Sequence, residues 1–403
     1  MRRGIVVFAA GLWLWVVARL VGSSGLHIVA VGVALLPIAS VLVARRRHGR
    51  LHVDRRLPSR RVTVGERAPV EISVRNDSEV TTSFLLLEDA LSADLGTPAR
   101  MVLDRIPPGN RQAVRYEVQP HMRGRYFLGP LSIDLSDPFA LTRRRVRFPH
   151  RDELLVTPET EPLHGSSGGA LGTGSGESVT RQLFRAGNEF YAIREYQTGD
   201  DLRRIHWPSV ARTRRLMIRQ DELARRAAAT IFLDTRTTAL GPSHAPAFEK
   251  AVSAAASIGV FFLRHGFTLR LATTDRPPTP AAEDGFLARL ATVDHSTAKR
   301  MGMERVQSAA ATTTLAVVTA VPTPAEIAGM TKIGSAFGSR IAVMVYPAEP
   351  SEMTPEAKDA LEGRASAARL SLVRAGWDVC LVPPAGKLRD LWKRRGRVAA
   401  AVS

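Results

Sequence analysis

Two stretches at the start of the chain are apolar on every side. Residues 4–21 are interrupted only by Arg19, and residues 26–44 by His27 and Ser40. Each is close to the roughly 17–25 residues that a membrane-spanning helix needs, and core helices of soluble domains keep a polar face instead. The link Gly22-Ser23-Ser24-Gly25 is polar and short. The pattern predicts a transmembrane helical hairpin over residues 1–50, with helices at about 4–21 and 26–44.

From about Leu51 to Phe148 the period becomes two. Arg61-Val62-Thr63-Val64, Val70-Glu71-Ile72-Ser73-Val74 and Val114-Arg115-Tyr116-Glu117-Val118 all alternate. Alternation puts one side of each strand inward and the other in water. Turn signals at Asn76-Asp77, Pro107-Pro108-Gly109-Asn110 and Gly129-Pro130 separate the runs. The expectation over residues 51–150 is a β-sandwich of immunoglobulin-like type. Residues 151–186 read as a flexible loop whose Gly/Ser-rich part runs from 164 to 178. A distinctive motif region covers 187–226. Over 227–403, strand-like runs at 229–233, 267–273, 314–319, 341–346 and 379–382 alternate with helical runs at 248–265, 281–293, 297–309, 324–335, 355–374 and 387–395. That alternation predicts a mostly parallel sheet covered on both faces by helices. The chain is thus expected to be multi-domain.

Charge adds an orientation. The formal net charge is +18 over 403 residues, which favours anionic partners. Arg2 and Arg3 precede the first apolar run, and Arg45, Arg46, Arg47 and Arg50 follow the second, while the link between them has no Lys or Arg. Positive flanks on both outer sides place both termini in the cytoplasm and the protein in the cell membrane. A cleaved signal peptide ending near Ser24 leaves the second run unexplained. The basic residues are dispersed, and no zinc finger, RNA-recognition signature or basic-aromatic stripe accompanies them. Membrane lipid is therefore the expected anionic partner, and nucleic acid is set aside. The single cysteine, Cys380, excludes an internal disulfide framework and a Cys-rich zinc site.

Chemistry-bearing motifs are sparse. Gly165 to Gly169 matches Gly-x-Ser-x-Gly around Ser167, but a nucleophile elbow needs a strand before the Ser and a helix after it. Gly172-Thr173-Gly174 also lacks the strand–helix setting of a dinucleotide site. The distinctive stretch runs from Gly187 to Trp207 and contains Arg194, Tyr196, Gly199, Asp200, Asp201, Arg203, Arg204, Ile205, His206 and Trp207. Gly199-Asp200 reads as a turn, the arginines can fork onto the two carboxylates, and Trp207 offers a large apolar body with one N–H. Three roles are open: a polar knot joining the domains, a binding surface, or a hydrolase site at the envelope using Asp200, Asp201 and His206.

The core Arg-x-Tyr-x-x-Gly-Asp-x-x-Arg-x-Ile-x-Trp, on Arg194, Tyr196, Gly199, Asp200, Arg203, Ile205 and Trp207, resembles the signature of the bacterial domain of unknown function 58 (DUF58) family. Arg123-Gly124-Arg125-Tyr126-Phe127-Leu128-Gly129-Pro130-Leu131, followed by Asp137-Pro138-Phe139, is similar to a second family stretch. The resemblance implies a von Willebrand factor A-like C-terminal domain. It also implies a MoxR-type AAA+ ATPase as protein partner, and hence a non-enzymatic, membrane-anchored adaptor without cofactor. Such a domain often holds Mg²⁺ on Asp-x-Ser-x-Ser. Here that loop reads Asp234-Thr235-Arg236-Thr237-Thr238. Asp234 is kept and Thr238 stands for the second Ser, but Arg236 puts a cation where a ligand belongs. The later loop, Ala320-Val321-Pro322-Thr323, offers no carboxylate. The expectation is a degenerate site without metal, in which Arg236 pairs with Asp234.

Overall fold

The computed structural model describes residues 2–47, 51–136, 143–164, 192–197, 202, 205–220, 228–309 and 314–392. The chain forms two compact units, residues 1–157 and 158–403.

The first unit opens with helices α1 (Arg2–Val21) and α2 (Ser24–Arg47). Over Gly4–Val21, α1 is long and apolar enough to cross a membrane, while the apolar stretch described in α2 is shorter, Ser24–Ala39. Apolar side chains of α1 face outward, with Trp13 68% and Leu20 82% exposed. The helices meet along small residues. A Cβ at Gly11 would lie 2.6 Å from the Ala34 backbone nitrogen, and Ala18 and Ala30 are fully buried. Small residues let two apolar helices approach backbone to backbone.

Nine strands follow: β1 (Leu51–Arg56), β2 (Arg61–Thr63), β3 (Ala68–Asn76), β4 (Leu85–Leu91), β5 (Ala99–Leu103), β6 (Arg111–Val118), β7 (Gly124–Ser136), β8 (Arg143–Phe148) and β9 (Asp152–Thr157). One sheet has the order β1-β3-β6; the other runs β2-β9-β7-β4-β5, with β8 also on β7. Alternate residues of both sheets meet in the core: Ile72 and Val74 of β3 join Leu85 and Leu87 of β4 and Ile133 of β7. Arg55 ties the two sheets together. Its side chain is buried and reaches both Asp89 carboxylate oxygens, Asp152 Oδ2 at 2.9 Å and the Leu128 carbonyl at 3.2 Å. Tyr116 donates to Asp89 Oδ2 at 2.7 Å. Burial, then the Asp89 charge, pushes the Tyr116 phenol well above its ordinary pKa. Gly129-Pro130 is not a turn but lies inside β7, where the register with β4 shifts between Asp89 and Leu91. Gly129 has φ 100°, and a Cβ there would meet the His150 carbonyl at 2.5 Å and the Arg55 guanidinium at 3.0 Å. Only glycine permits this bulge beside the buried arginine.

In the second unit, β10 (Ala192–Glu195) and β11 (Met217–Gln220) pair antiparallel, and helix α3 (Trp207–Thr213) lies between them in the chain. The main sheet has the order β14-β13-β12-β15-β16-β17. Its strands are β12 (Ala228–Leu233), β13 (Thr268–Thr273), β14 (Thr279–Ala281), β15 (Thr314–Ala320), β16 (Ser339–Val345) and β17 (Asp378–Val382). All neighbours are parallel except β14, which is antiparallel to β13. The helices are α4 (Thr237–Leu240), α5 (Pro246–Arg264), α6 (Glu283–Ala291), α7 (Pro324–Gly334), α8 (Pro355–Arg374) and α9 (Leu388–Trp392). Alternation within each strand sends side chains to two cores. Ile231, Leu233, Ala316 and Val318 face α5, α6 and α9. Phe232, Leu315 and Val317 face α7 and α8. The β-rich region and the mixed α/β region therefore follow the helical pair in the expected order. Helix α5 also has the length and apolarity of a spanning helix, but its apolar residues are buried in the core.

Three expected elements differ. Residues 152–157, expected to open the flexible loop of 151–186, form strand β9 between β2 and β7, with Leu154 and Val156 buried in the core of the β unit. Residues 297–309 are not one helix; only Met303–Ala309 winds, as a 3-10 turn. Gly302 takes φ 77°, and a Cβ there would lie 2.5 Å from the Thr274 carbonyl, so the chain must break to pass. The helix expected over 281–293 runs only from Glu283 to Ala291, because Ala281 closes the short antiparallel edge strand β14, an edge that also tolerates Pro280. Ser167, the Gly165–Gly169 match, Gly172-Thr173-Gly174 and Asp137-Pro138-Phe139 lie outside the described residues, as do Gly199, Asp200, Asp201, Arg203 and Arg204 of the motif.

Candidate functional site

The parallel sheet has one place where successive connections leave in opposite directions. The helix α5 that follows β12 packs on one face, and the helix α7 that follows the adjacent β15 packs on the other. In open α/β sheets, ligands lie in the crevice at the carboxyl ends of the strands at such a switch point. Strand β12 is apolar except for the buried Thr230 and stops just before Asp234, so it delivers that carboxylate to the crevice.

Asp234 is fully buried. Its Oδ1 accepts from Arg236 N at 3.1 Å, Arg236 Nε at 2.9 Å and Thr274 Oγ1 at 3.3 Å. Its Oδ2 accepts from Arg236 Nη2 at 2.7 Å and Thr319 Oγ1 at 2.8 Å. Arg236, also buried, sends Nη1 to Glu326 Oε1 at 2.5 Å. Glu326 Oε2 accepts from the Thr323 backbone N–H at 2.8 Å, which closes a reciprocal capping box at the start of α7. Burial works against the Arg236 charge, yet Asp234 and then Glu326 outweigh it and raise the guanidinium pKa. Glu326 is held below its ordinary pKa although burial opposes this, through the Thr323 N–H and Arg236. A carboxylate offers about four lone-pair directions, and five donors already crowd onto Asp234. The crevice is filled by the protein's own cation.

The Arg236–Asp234 pair is present, but the hydroxyls around it are not those the sequence suggested. Thr238 is exposed on α4; Thr274 after β13 and Thr319 in β15 take its place. The later loop, 320–323, itself has no carboxylate, but Glu326 reaches Arg236 from the first turn of α7 that follows it. The signal was Thr323-Pro-Ala-Glu326, a capping-box spacing. Among the described residues, no three His, Cys, Asp or Glu side chains gather as a metal-ligand set.

The motif region has its own geometry. The Arg194 backbone pairs with Ile218 across the β10–β11 ladder. Tyr196 is half-buried, and its N–H bonds the Leu216 carbonyl at 2.8 Å. His206 N donates to Met217 O at 2.9 Å, and its ring Nδ1 meets Ser209 Oγ at 2.8 Å. Trp207 starts α3 and is 66% exposed. Arg214 ends α3 in the left-handed region at φ 54°.

A cavity of about 510 Å³ opens beside the end of β13, lined among others by Thr235, Thr273, Arg276, Arg289, Asp294 and His295. Ser243 joins Asp294 and His295 at its rim. Ser243 Oγ at 3.0 Å and Asp294 Oδ1 at 2.9 Å meet the same His295 nitrogen, Nδ1. A relay needs the acid on one ring nitrogen and the nucleophile on the other, so this trio is a loop clamp.

The chain is thus built of an apolar helical pair, a β-rich unit and a mixed α/β unit whose switch point is closed by an ion network. Residues 192–280 match the family described as Protein of unknown function DUF58. No curated protein matches the chain. Among solved structures, the crystallised CARDB domain of the PF1109 protein from Pyrococcus furiosus, in complex with di-metal ions, is 16% identical, with a TM-score of 0.21 over 27% of this chain and 87% of that one. The solution structure of the same domain is 15% identical, with a TM-score of 0.21 over 26% and 93%. A Listeria innocua β-glucosidase with isofagomine is 13% identical, with a TM-score of 0.19 over 27% and 16%.

Proposed function

We propose that this protein is a membrane-anchored, non-enzymatic adaptor. The two N-terminal helices form a hairpin with both ends in the cytoplasm, held by the positive flanks. The α/β unit, of von Willebrand factor A-like type, presents a surface to a protein partner, a MoxR-type AAA+ ATPase. The observation that carries this reading is the Arg236–Asp234–Glu326 network. It spends the carboxylate at the switch point on an internal ion pair, where an enzyme of this architecture would hold substrate or metal. Affinity capture of the tagged full chain from detergent-solubilised membranes tests it. The expected result is enrichment of a AAA+ ATPase over an unrelated membrane bait. Capture without any such ATPase overturns the partner, and a reporter after Ser403 that is active only outside the cytoplasm overturns the topology.

A further inference from the structure

The switch-point network leaves one conspicuous surface unabsorbed: the face built around α3. Trp207 is 66% exposed, Leu202 59% and Leu216 44%, and Arg212, Arg214 and Arg215 are exposed beside them. Local geometry keeps this face outward. Tyr196 N–H and His206 N–H tie the segment to β11, Ile218 is buried, and the left-handed Arg214 turns the chain at the end of α3 so that three arginines fall within four residues. Arg215 also pairs with the exposed Glu195 at 2.6 Å, a surface contact that solvent and salt weaken. Over residues 192–220 the chain has seven arginines against three acids.

We infer that this Trp207–Arg212–Arg214–Arg215 face docks on an anionic lipid surface, with the Trp207 ring and Leu216 at headgroup depth and the guanidinium groups on lipid phosphates. The inference rests on the membrane-anchored reading above. Tryptophan beside arginine is the composition of a membrane–water interface. Three arginines near an anionic surface strengthen attachment roughly a hundredfold. Size argues against a protein occupant, since a stable protein interface takes about 20–30 residues a side, and among the described residues this face offers a seven-residue helix and its flanks. Tethering makes a weak contact sufficient: a covalently anchored module meets its membrane at an effective concentration in the mM range.

The test uses the full chain in lipid nanodiscs. Cys380 is replaced by Ser, and an environment-sensitive dye is placed on Ala211→Cys, in the exposed part of α3. Discs rich in phosphatidylglycerol should give a blue-shifted, brighter emission than phosphatidylcholine discs. The shift should vanish at about 1 M salt, where the screening length is about 3 Å, and in the R212Q/R214Q/R215Q variant; W207A should reduce it. Equal emission in both discs overturns the inference while leaving the anchor intact. A chain that does not enter discs at all overturns the anchored reading and this inference with it. A shift produced by poly-glutamate but not by anionic discs overturns it in favour of an acidic polypeptide.

Discussion

The Arg236 guanidinium joins two carboxylates that enter from different elements. It grips Asp234 through Nε and Nη2 at 2.9 and 2.7 Å and meets Glu326 through Nη1 at 2.5 Å. One side chain thereby ties the loop after β12 to the first turn of α7.

Removing that side chain should be costly. Arg236→Ala leaves Asp234 buried without its counter-charge, a change worth about 3–5 kcal/mol. Glu326→Gln keeps the Asp234 pair and should cost about 1–2 kcal/mol. Urea unfolding of the detergent-purified chain measures both. An Arg236→Ala loss no larger than that of Glu326→Gln contradicts the network's role.

The same geometry predicts the response to metal. Mg²⁺ needs several oxygens in near-octahedral order, and Arg236 occupies that space in the native chain. Titrating Mg²⁺ should leave the melting temperature unchanged. In Arg236→Ser, oxygens of Asp234, Thr319 and Glu326 surround the vacated space, so a saturable rise in melting temperature is expected, lost again on adding Asp234→Ala. A rise in the unsubstituted protein, removed by Asp234→Ala, is the contrary outcome.

Acid should loosen the α/β unit through Glu161 and Glu326. Burial opposes ionisation of Glu161, but the Arg389 backbone N–H at 2.9 Å and the Lys250 ammonium at 2.7 Å outweigh it, and its pKa is lowered. Glu326 is lowered too. A carboxylate with a depressed folded pKa contributes fully above its unfolded value, 4.5 here. That contribution is lost as pH falls from there through the folded value. Unfolding midpoints should therefore fall below about pH 4.5, and the fall should be shallower in Glu161→Gln. An unchanged slope in that variant is the result that counts against Glu161.

How much of this was legible follows from what leaves a periodic trace. The strand at 229–233 and the Asp234 that follows it stand out because a run buried on both sides is nearly all apolar, here broken only by Thr230. The Asp234–Arg236 pair is local, two residues apart. Thr274 and Thr319 reach Asp234 from 40 and 85 residues away, and single threonines after strands carry no period. Thr238 was expected only from the motif position that the resemblance implies, whereas the turn into α4 carries it outward. Glu326 was readable as a helix cap, but not as a second partner of Arg236. Gly129-Pro130 carried turn composition into a strand because a bulge and a turn ask the same backbone freedom of glycine.

In the β unit, Arg55 joins opposite sheets through Asp89 and Asp152. Arg55→Met should destabilise by about 3–5 kcal/mol, since it strands two buried carboxylates. Tyr116→Phe removes one donor to Asp89 and should cost about 1 kcal/mol. Denaturant midpoints at neutral pH measure both, and equal effects of the two changes speak against a buried ion network.

Deleting residues 1–50 should release the rest of the chain from membranes at high salt. Among the described residues, the other helix of spanning length and apolarity, α5, has Phe248 and Phe262 fully buried against the sheet. It has no apolar stripe left for lipid, and exposing one would dismantle the core that α5 forms with β12 and β15. Surface charge is the remaining attraction, and salt screens it to within about 3 Å at 1 M. Sedimentation with vesicles separates the two forces. The truncated chain should stay in the supernatant at high salt with any lipid, and should pellet at low salt only with anionic vesicles. Pelleting at high salt would mean that a second hydrophobic anchor lies beyond residue 50. Binding to neutral vesicles at low salt would mean that apolar contact, rather than arginine, dominates the surface.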